Sequence, residues 1–248
     1  MMDKPWHRLR IELIWRTLRP SVIESGRWLD VGCGNGALAV RAVTSGHAVT
    51  LVDIDQGMLA IAEHNLRTVA PEGLWTVLPP DGSGRTPLAQ LEAETFDIVT
   101  AHNVVEYSED RHSFLNAMAD AVRLGGILSL VFANPVAVPL TTAVRTQEAE
   151  RVLRALRGGD LVVGMAGNRS LAPPLDHREM IREITALGFE LEGHFGLRIF
   201  NEVMTDERRK ERPGWLDSMV ELELAVSELE PYRSIARHHH LVLRRRRG

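Results

Sequence analysis

The residues with the clearest chemical purpose are Leu29-Asp30-Val31-Gly32-Cys33-Gly34-Asn35-Gly36, followed further along by Leu51-Val52-Asp53. Glycines at a strand–helix junction permit a tight turn and let a bound molecule approach the backbone closely. An acid closing the next strand, Asp53, has acceptors for both hydroxyls of an adenosine ribose, and Ile54 beside it offers an apolar face to an adenine ring. With Ala37 in the last place the loop also satisfies the dinucleotide pattern, so the glycines alone do not discriminate. Asp30 does. A carboxylate next to the loop repels a pyrophosphate but favours a cofactor with a cationic amino-acid tail. No Gly-Lys-Ser/Thr follows, which excludes a P-loop. Cys33, lying between two loop glycines, is expected to pack against the cofactor rather than to act as a nucleophile.

These residues need a scaffold of alternating elements. A short apolar strand at 27–30 runs into the loop, and a helix at 37–45 follows, closed by Gly46. A second buried strand spans 49–54, then a helix runs from Gln56 to about Val69. Further strands are predicted at 74–78, 96–101 and 127–132, with a helix at 113–123 ending at Gly125-Gly126. Helical spacing returns at 144–156, a loop spans 158–168, and a helix at 177–187 closes at Gly188. A strand at 189–200, bent at Gly193 or Gly196, an amphipathic helix at 215–229 and a strand at 237–243 complete the chain. Strands alternating with helices point to a doubly wound α/β sheet, and the final helix and antiparallel hairpin bring it to seven strands.

Composition narrows the function. The 248 residues, 44% hydrophobic and 25% charged, are ordinary for a globular chain able to bury a substantial core. Apolar runs such as 126–133 are too short to span a bilayer, and the first residues lack the apolar core of a signal peptide. The single cysteine rules out an internal disulfide framework and a cysteine-based zinc site, so a cytoplasmic location is expected. A net charge of −4 provides no global attraction for nucleic acid. Of 29 basic residues only Lys4 and Lys210 are lysines, and arginine suits bidentate contacts to carboxylate or phosphate. His238-His239-His240 lies in a predicted strand, where neighbouring side chains alternate between faces, so no metal site is expected. The run 244–247 reads as a solvated arginine tail or, alternatively, a nucleic-acid contact.

Asp30 to Gly36 resembles motif I of class I S-adenosylmethionine-dependent methyltransferases. Over nearly its whole length the chain resembles the bacterial tRNA 5-carboxymethoxyuridine methyltransferase family. The matching stretches are Leu9-Arg10-Ile11-Glu12-Leu13-Ile14-Trp15, Ser45-Gly46-His47-Ala48-Val49, Ala101-His102-Asn103-Val104-Val105-Glu106-Tyr107 and Leu128-Ser129-Leu130-Val131-Phe132-Ala133-Asn134. Beyond the cofactor core come Gly196-Leu197-Arg198-Ile199-Phe200, Leu222-Glu223 and Glu230-Pro231-Tyr232-Arg233, which the wider superfamily does not share. The resemblance implies a Rossmann-like seven-stranded sheet with helices on both faces and a C-terminal antiparallel hairpin. It implies one methyltransferase domain over 1–248. Within it, 1–26 would form an N-terminal helix over the cofactor, 27–134 the cofactor-binding core, 135–176 an acceptor-side insertion, and 177–248 the C-terminal helices and strands.

The resemblance also implies site roles. Arg10 would pair with the carboxylate of the cofactor's methionine tail, Gly32, Cys33 and Gly34 would approach it through their backbone, and Asp53 would hold the ribose. Ile54 would cover the adenine, Asp81 falls near the acidic-loop position that holds the adenine amino group, and His102 would line the pocket near the sulfonium. The acceptor would be a carboxylate on a wobble uridine, already ionised at neutral pH and needing a clamp rather than a base. Arg198 is the leading clamp candidate, with Asn134 and Arg145 behind it, although Arg198 could instead pair with a glutamate such as Glu192. A hydroxyl or amine acceptor would need His102 or His194 as base.

The chain departs from the family pattern in a shorter segment before Arg10, in 163–169 where a lysine-rich loop is usual, and at Asn201 and Val203. Arg151, Arg154, Arg157, Arg208 and Arg209 are available to compensate on RNA. Three functions stay open: a tRNA carboxyl methyltransferase, a small-molecule O- or N-methyltransferase acting on an anionic acceptor among others, and a non-catalytic cofactor-binding module. Nothing implies an obligate protein partner.

Overall fold

Near-continuous apolar runs, buried on both faces, form the central strands of this protein, as parallel strands covered by helices require. The computed structural model describes residues 5–70, 73–80, 88, 91, 93–158, 162–163, 170–171 and 175–247. Seven strands make the main sheet: β1 (Arg27–Val31), β2 (Ala48–Val52), β3 (Trp75–Leu78), β4 (Phe96–His102), β5 (Val122–Ala133), β6 (Phe189–Leu197) and β7 (His238–Arg245). Their order is β3-β2-β1-β4-β5-β7-β6, with β7 antiparallel to both its neighbours and the others parallel. Val162–Val163 and Ser170–Leu171 form a separate two-stranded ribbon.

Helices α1 (Pro5–Leu18), α2 (Ala37–Thr44), α3 (Gln56–Arg67), α4 (Arg111–Ala121), α5 (Ala137–Thr146), α6 (Ala149–Leu156), α7 (His177–Ala186) and α8 (Trp215–Val226) accompany the sheet. One core layer joins Leu9, Leu13 and Leu18 of α1 to Trp28, Leu38 and Val220, with Trp15 stacked on Trp28. The other joins Leu115 and Met118 of α4 and Met180 and Ile184 of α7 to Leu128, Leu130 and Phe189. Each fully buried leucine contributes roughly 1.5–3 kcal/mol. Successive strands step outward in opposite directions from β1 and β4, so a crevice opens beyond their carboxyl ends. This is where ligands bind in such sheets.

Several boundaries differ from expectation for local reasons. The helix expected at 113–123 starts at Arg111, because Asp110 caps it by accepting from Ser113 N at 3.0 Å, and it ends at Ala121. Val122 already pairs with Phe96, so β5 begins before the glycines rather than after them, and Arg123 binds Asp97. The single helix expected at 144–156 is two, α5 and α6, because Gln147 adopts φ +56° and ends the first. The expected bend in β6 is an irregularity between Leu191 and Gly193, and the strand stops at Leu197. Of the arginines expected as a solvated tail, Arg244 and Arg245 lie in β7, whereas Arg246 and Arg247 are exposed. Arg244 binds Glu192 and Gly125 O, Arg245 donates to Ala119 O, and Arg246 pairs with Glu190.

Candidate active site

At the carboxyl end of β1 the loop glycines Gly32, Gly34 and Gly36 have φ of +67°, +54° and +71°. Any other residue is strained in that left-handed region. Gly32 is doubly required, because a Cβ there would lie 2.1 Å from Val104 Cγ2. Its N–H and that of Cys33 donate to Val52 O at 2.7 and 3.1 Å, fastening the loop to β2. Around Gly34 a Cβ would meet nothing within 4 Å, so this turn faces open space.

Asp53, just past β2, accepts from Gly34 N at 2.8 Å through Oδ2 and from Asp55 N at 2.9 Å through Oδ1. A carboxylate has about four lone-pair sites, so capacity is left for a diol. Asp55 caps α3, accepting from Gly57 N and Met58 N, and so fixes the chain after Asp53. Ile54 is 60% exposed, an apolar side chain open beside that carboxylate. Asp30 is buried, and its Oδ1 accepts from Thr100 Oγ1 at 2.8 Å. Burial pushes its carboxyl up to about 7, and Asp53 nearby adds to this. Burial also raises the Cys33 thiol strongly, with Asp30 and Asp53 beside it, so no thiolate forms there. Asp81 lies outside the described residues, as does most of 163–169.

α1 carries Arg10 to the same edge. Its Nη1 donates to Asn103 Oδ1 at 2.7 Å, while its buried Nε has no partner. Burial, with the charge of Arg198 and against the pull of Glu106, lowers its pKa to about 10. A guanidinium with unspent donors suits a carboxylate. Together Arg10, the carboxylates Asp30 and Asp53 and the open glycine turn fit a nucleoside carrying a zwitterionic amino-acid tail.

The second half of the site surrounds Glu202. Arg198 sits at φ +62° just after β6, 11% exposed at its side chain, binding Glu202 and lying 5.3 Å over the Trp6 ring. Arg145, at the end of α5, reaches the other oxygen of Glu202 at 3.2 Å. Arg237 is held near Thr141 Oγ1 at 3.4 Å, and its pKa is lowered by burial against the pull of Glu202. Glu223 of α8 fixes the left-handed turn by accepting from Ile199 N at 2.7 Å and Asn201 N at 2.8 Å. Such strain survives where surrounding contacts over-determine it, and it concentrates at functional sites. Four arginines, Arg10, Arg145, Arg198 and Arg237, thus face three carboxylates, Glu106, Glu202 and Glu223.

The expected alternative partner of Arg198, Glu192, is corrected to Glu202, since Arg244 occupies Glu192. Asn134 is corrected as well. Its Nδ2 donates to Ser234 O and Ala236 O, its Oδ1 accepts from Val136 N, and it is 2% exposed. Its amide is spent on holding the turn before β7, which leaves nothing for an acceptor. His102 does end β4, with Nε2 2.8 Å from Ser129 Oγ. His194 packs instead with His239 and His177, its Nε2 3.0 Å from His239 Nδ1. Among the described residues no group of His, Cys, Asp or Glu is placed to hold a metal, and no helix is long and apolar enough to cross a membrane. Glu202, Arg237, Asn103 and Trp6 were not legible as site residues. For Glu202 one signal existed, its i,i+4 spacing from Arg198.

Residues 29–130 match a family described as a methyltransferase domain. Sheet order and glycine loop are those of the class I, S-adenosylmethionine-dependent methyltransferase fold, with the methyltransferase domain at 29–130. It is similar to the tRNA 5-carboxymethoxyuridine methyltransferase of Escherichia coli strain K12, at 25% identity over 96% of this chain and 88% of the relative. A ubiquinone biosynthesis O-methyltransferase of Hydrogenovibrio crunogenus is 35% identical, but over 48% of this chain and 46% of that one. Among solved structures, magnesium protoporphyrin IX methyltransferase from Synechocystis with bound SAH has a TM-score of 0.59. It shares 16% identity and covers 97% of this chain and 84% of its own.

Proposed function

We propose that this methyltransferase esterifies a carboxylate, and that its acceptor is the carboxymethoxy group of a tRNA wobble uridine. The observation that carries the acceptor chemistry is the arginine cluster, in which Arg198 and Arg145 already grip the carboxylate of Glu202 and Arg198 is close enough to Arg10 to perturb it. Similarity over 96% of the chain to an enzyme named for that tRNA reaction supports the RNA acceptor. The O-methyltransferase similarity covers only about half of the chain. A small-molecule O- or N-methyltransferase is the second reading, favoured by Asn201 and Val203 where the resembled family tends to histidine and tyrosine.

When bound, S-adenosylmethionine supplies an electrophilic methyl group on a sulfonium. Arg10 holds the tail carboxylate, Asp30 faces the tail ammonium, Asp53 holds the ribose hydroxyls and Ile54 covers the adenine, with Asp81 expected at its amino group. Transfer is an in-line displacement, so orientation of one acceptor oxygen supplies most of the catalysis. Arg198, with Arg145 and Arg237, holds the acceptor anion, which at neutral pH has no proton to remove. Exposed Arg157 and Arg208 would supply phosphate contacts to such an acceptor, whereas Arg151 and Arg209 are paired locally with Glu148 and Asp206.

Incubation with methyl-labelled cofactor, bulk tRNA and a small-metabolite extract tests the reading. Label should enter tRNA and be released by mild alkali, as a methyl ester demands. Label entering only the extract refutes the RNA acceptor, and alkali-stable label refutes the carboxylate.

A further inference from the structure

A line of buried hydrogen-bonding groups crosses the protein from α1 to the end of β4. Thr17 Oγ1 lies 2.8 Å from His240 Nδ1, His240 Nε2 lies 2.8 Å from Ser129 Oγ, and Ser129 Oγ lies 2.8 Å from His102 Nε2. Thr17, Ser129 and His240 are 6%, 0% and 0% exposed, so bulk water does not exchange into the line. Its members come from α1, β7, β5 and β4.

The direction of every proton in this line follows from its far end. Thr17 Oγ1 also lies 2.8 Å from Leu13 O and 3.2 Å from Ile14 O. A carbonyl has no hydrogen, so the single hydroxyl proton of Thr17 is the one donated to the helix backbone. Thr17 therefore accepts from His240, which carries its proton on Nδ1. Burial holds the His240 imidazole neutral, down to about 3, so its Nε2 is a bare lone pair. Ser129 must donate to that lone pair, and its oxygen is then left to accept from His102. His102 is likewise kept neutral by burial. Its proton is on Nε2. The remaining nitrogen, Nδ1, makes no hydrogen bond among the described residues and is not one of the fully enclosed unpartnered polar atoms, so it is open to a ligand.

We propose that Thr17, His240 and Ser129 are positioning residues that lock His102 in its Nε2–H tautomer. His102 then presents Nδ1 at the carboxyl end of β4 as an acceptor for an N–H or O–H group of the molecules bound there. The functional part rests on reading that edge as the methyl-transfer site. The lone pair repels an anion, so it divides the work with the arginines: the carboxylate goes to Arg198, and a donor group, from cofactor or acceptor, goes to His102.

The test reads the tautomer before any activity. In long-range ¹H–¹⁵N spectra of histidine-labelled protein, with His102→Asn identifying the signal, wild-type His102 should show a protonated Nε2 and an unprotonated Nδ1. Thr17→Val removes the acceptor for His240 Nδ1–H. His240 should then turn its proton to Nε2, Ser129 should reverse, and His102 should become Nδ1–H, three links away. Thr17→Ser should restore the wild-type signature. A wild-type His102 protonated on Nδ1 overturns the proposal without any variant having to fold, and so does a Thr17→Val protein with unchanged His102. For function, a donor facing a donor should cost roughly tenfold or more. A fall in calorimetric S-adenosylmethionine affinity places the donor on the cofactor, and a fall confined to methyl transfer places it on the acceptor. A flipped tautomer with neither change overturns the functional part. The spectra need no acceptor, so failure of the tRNA reading is seen separately.

Discussion

Replacing Asp30 by asparagine should stabilise the cofactor-free protein and weaken its hold on the cofactor. Asp30 is 3% exposed and its carboxyl, ordinarily at 3.8, is lifted to about 7 chiefly by burial. Below pH 3.8 both folded and unfolded chains keep the proton, and the group costs nothing. Between 3.8 and about 7 the unfolded chain releases its proton first, so stability falls as pH rises. Above about 7 the loss is complete. Roughly three pH units at about 1.36 kcal/mol each give a penalty on the order of 4 kcal/mol. Asparagine has no proton to lose and keeps the acceptor for Thr100. The difference between Asp30→Asn and wild type should therefore be near zero at pH 4 and grow to about 4 kcal/mol in the variant's favour at pH 8. Urea denaturation at both pH values measures it, and calorimetry at pH 8 should show cofactor affinity reduced about tenfold or more through loss of a charged partner. Equal stability gaps at the two pH values, or undiminished cofactor binding, would refute the reasoning.

Gly32→Ala should abolish cofactor binding and lower stability by about 2–5 kcal/mol, because φ +67° and a 2.1 Å approach to Val104 Cγ2 act together. Unchanged thermal unfolding and calorimetric titration would count against the loop as the binding element. Arg198→Gln should reduce methyl transfer about a hundredfold or more while cofactor affinity stays within about threefold, since a charge-assisted clamp is lost and the cofactor contacts are not. Equal loss in both would move Arg198 to the cofactor. His239, held down to about 3 chiefly by burial with His194 and His177 adding, contributes stability present above pH 6.5 and lost as pH falls toward 3. His239→Gln should therefore lose about 2 kcal/mol less than wild type between pH 7 and pH 5, measured by urea midpoints.

The cofactor half of the site was legible in the chain because it is local. Gly32, Gly34 and Gly36 answer to backbone angles, and Asp53 follows from the end of a strand whose neighbour is set by a single right-handed crossover. The alternating pattern likewise exposed the doubly wound sheet, since apolar periodicity is written residue by residue. Of the acceptor half only Arg198 and Arg145 were legible, and not what they meet. Glu202 meets Arg145 from 57 positions away, and on the cofactor side Arg10 meets Asn103 from 93. Asn134 looked available as a clamp until the turn before β7 consumed its whole amide. The proton direction at His102 depends on Thr17, which reaches it through β7 and β5. Short-range geometry constrains which residue types a turn or strand accepts, so composition and spacing reveal it. Which charge meets which, and which lone pair is left free, depends on elements distant in the chain packing into one dry space, where every donor must find its acceptor.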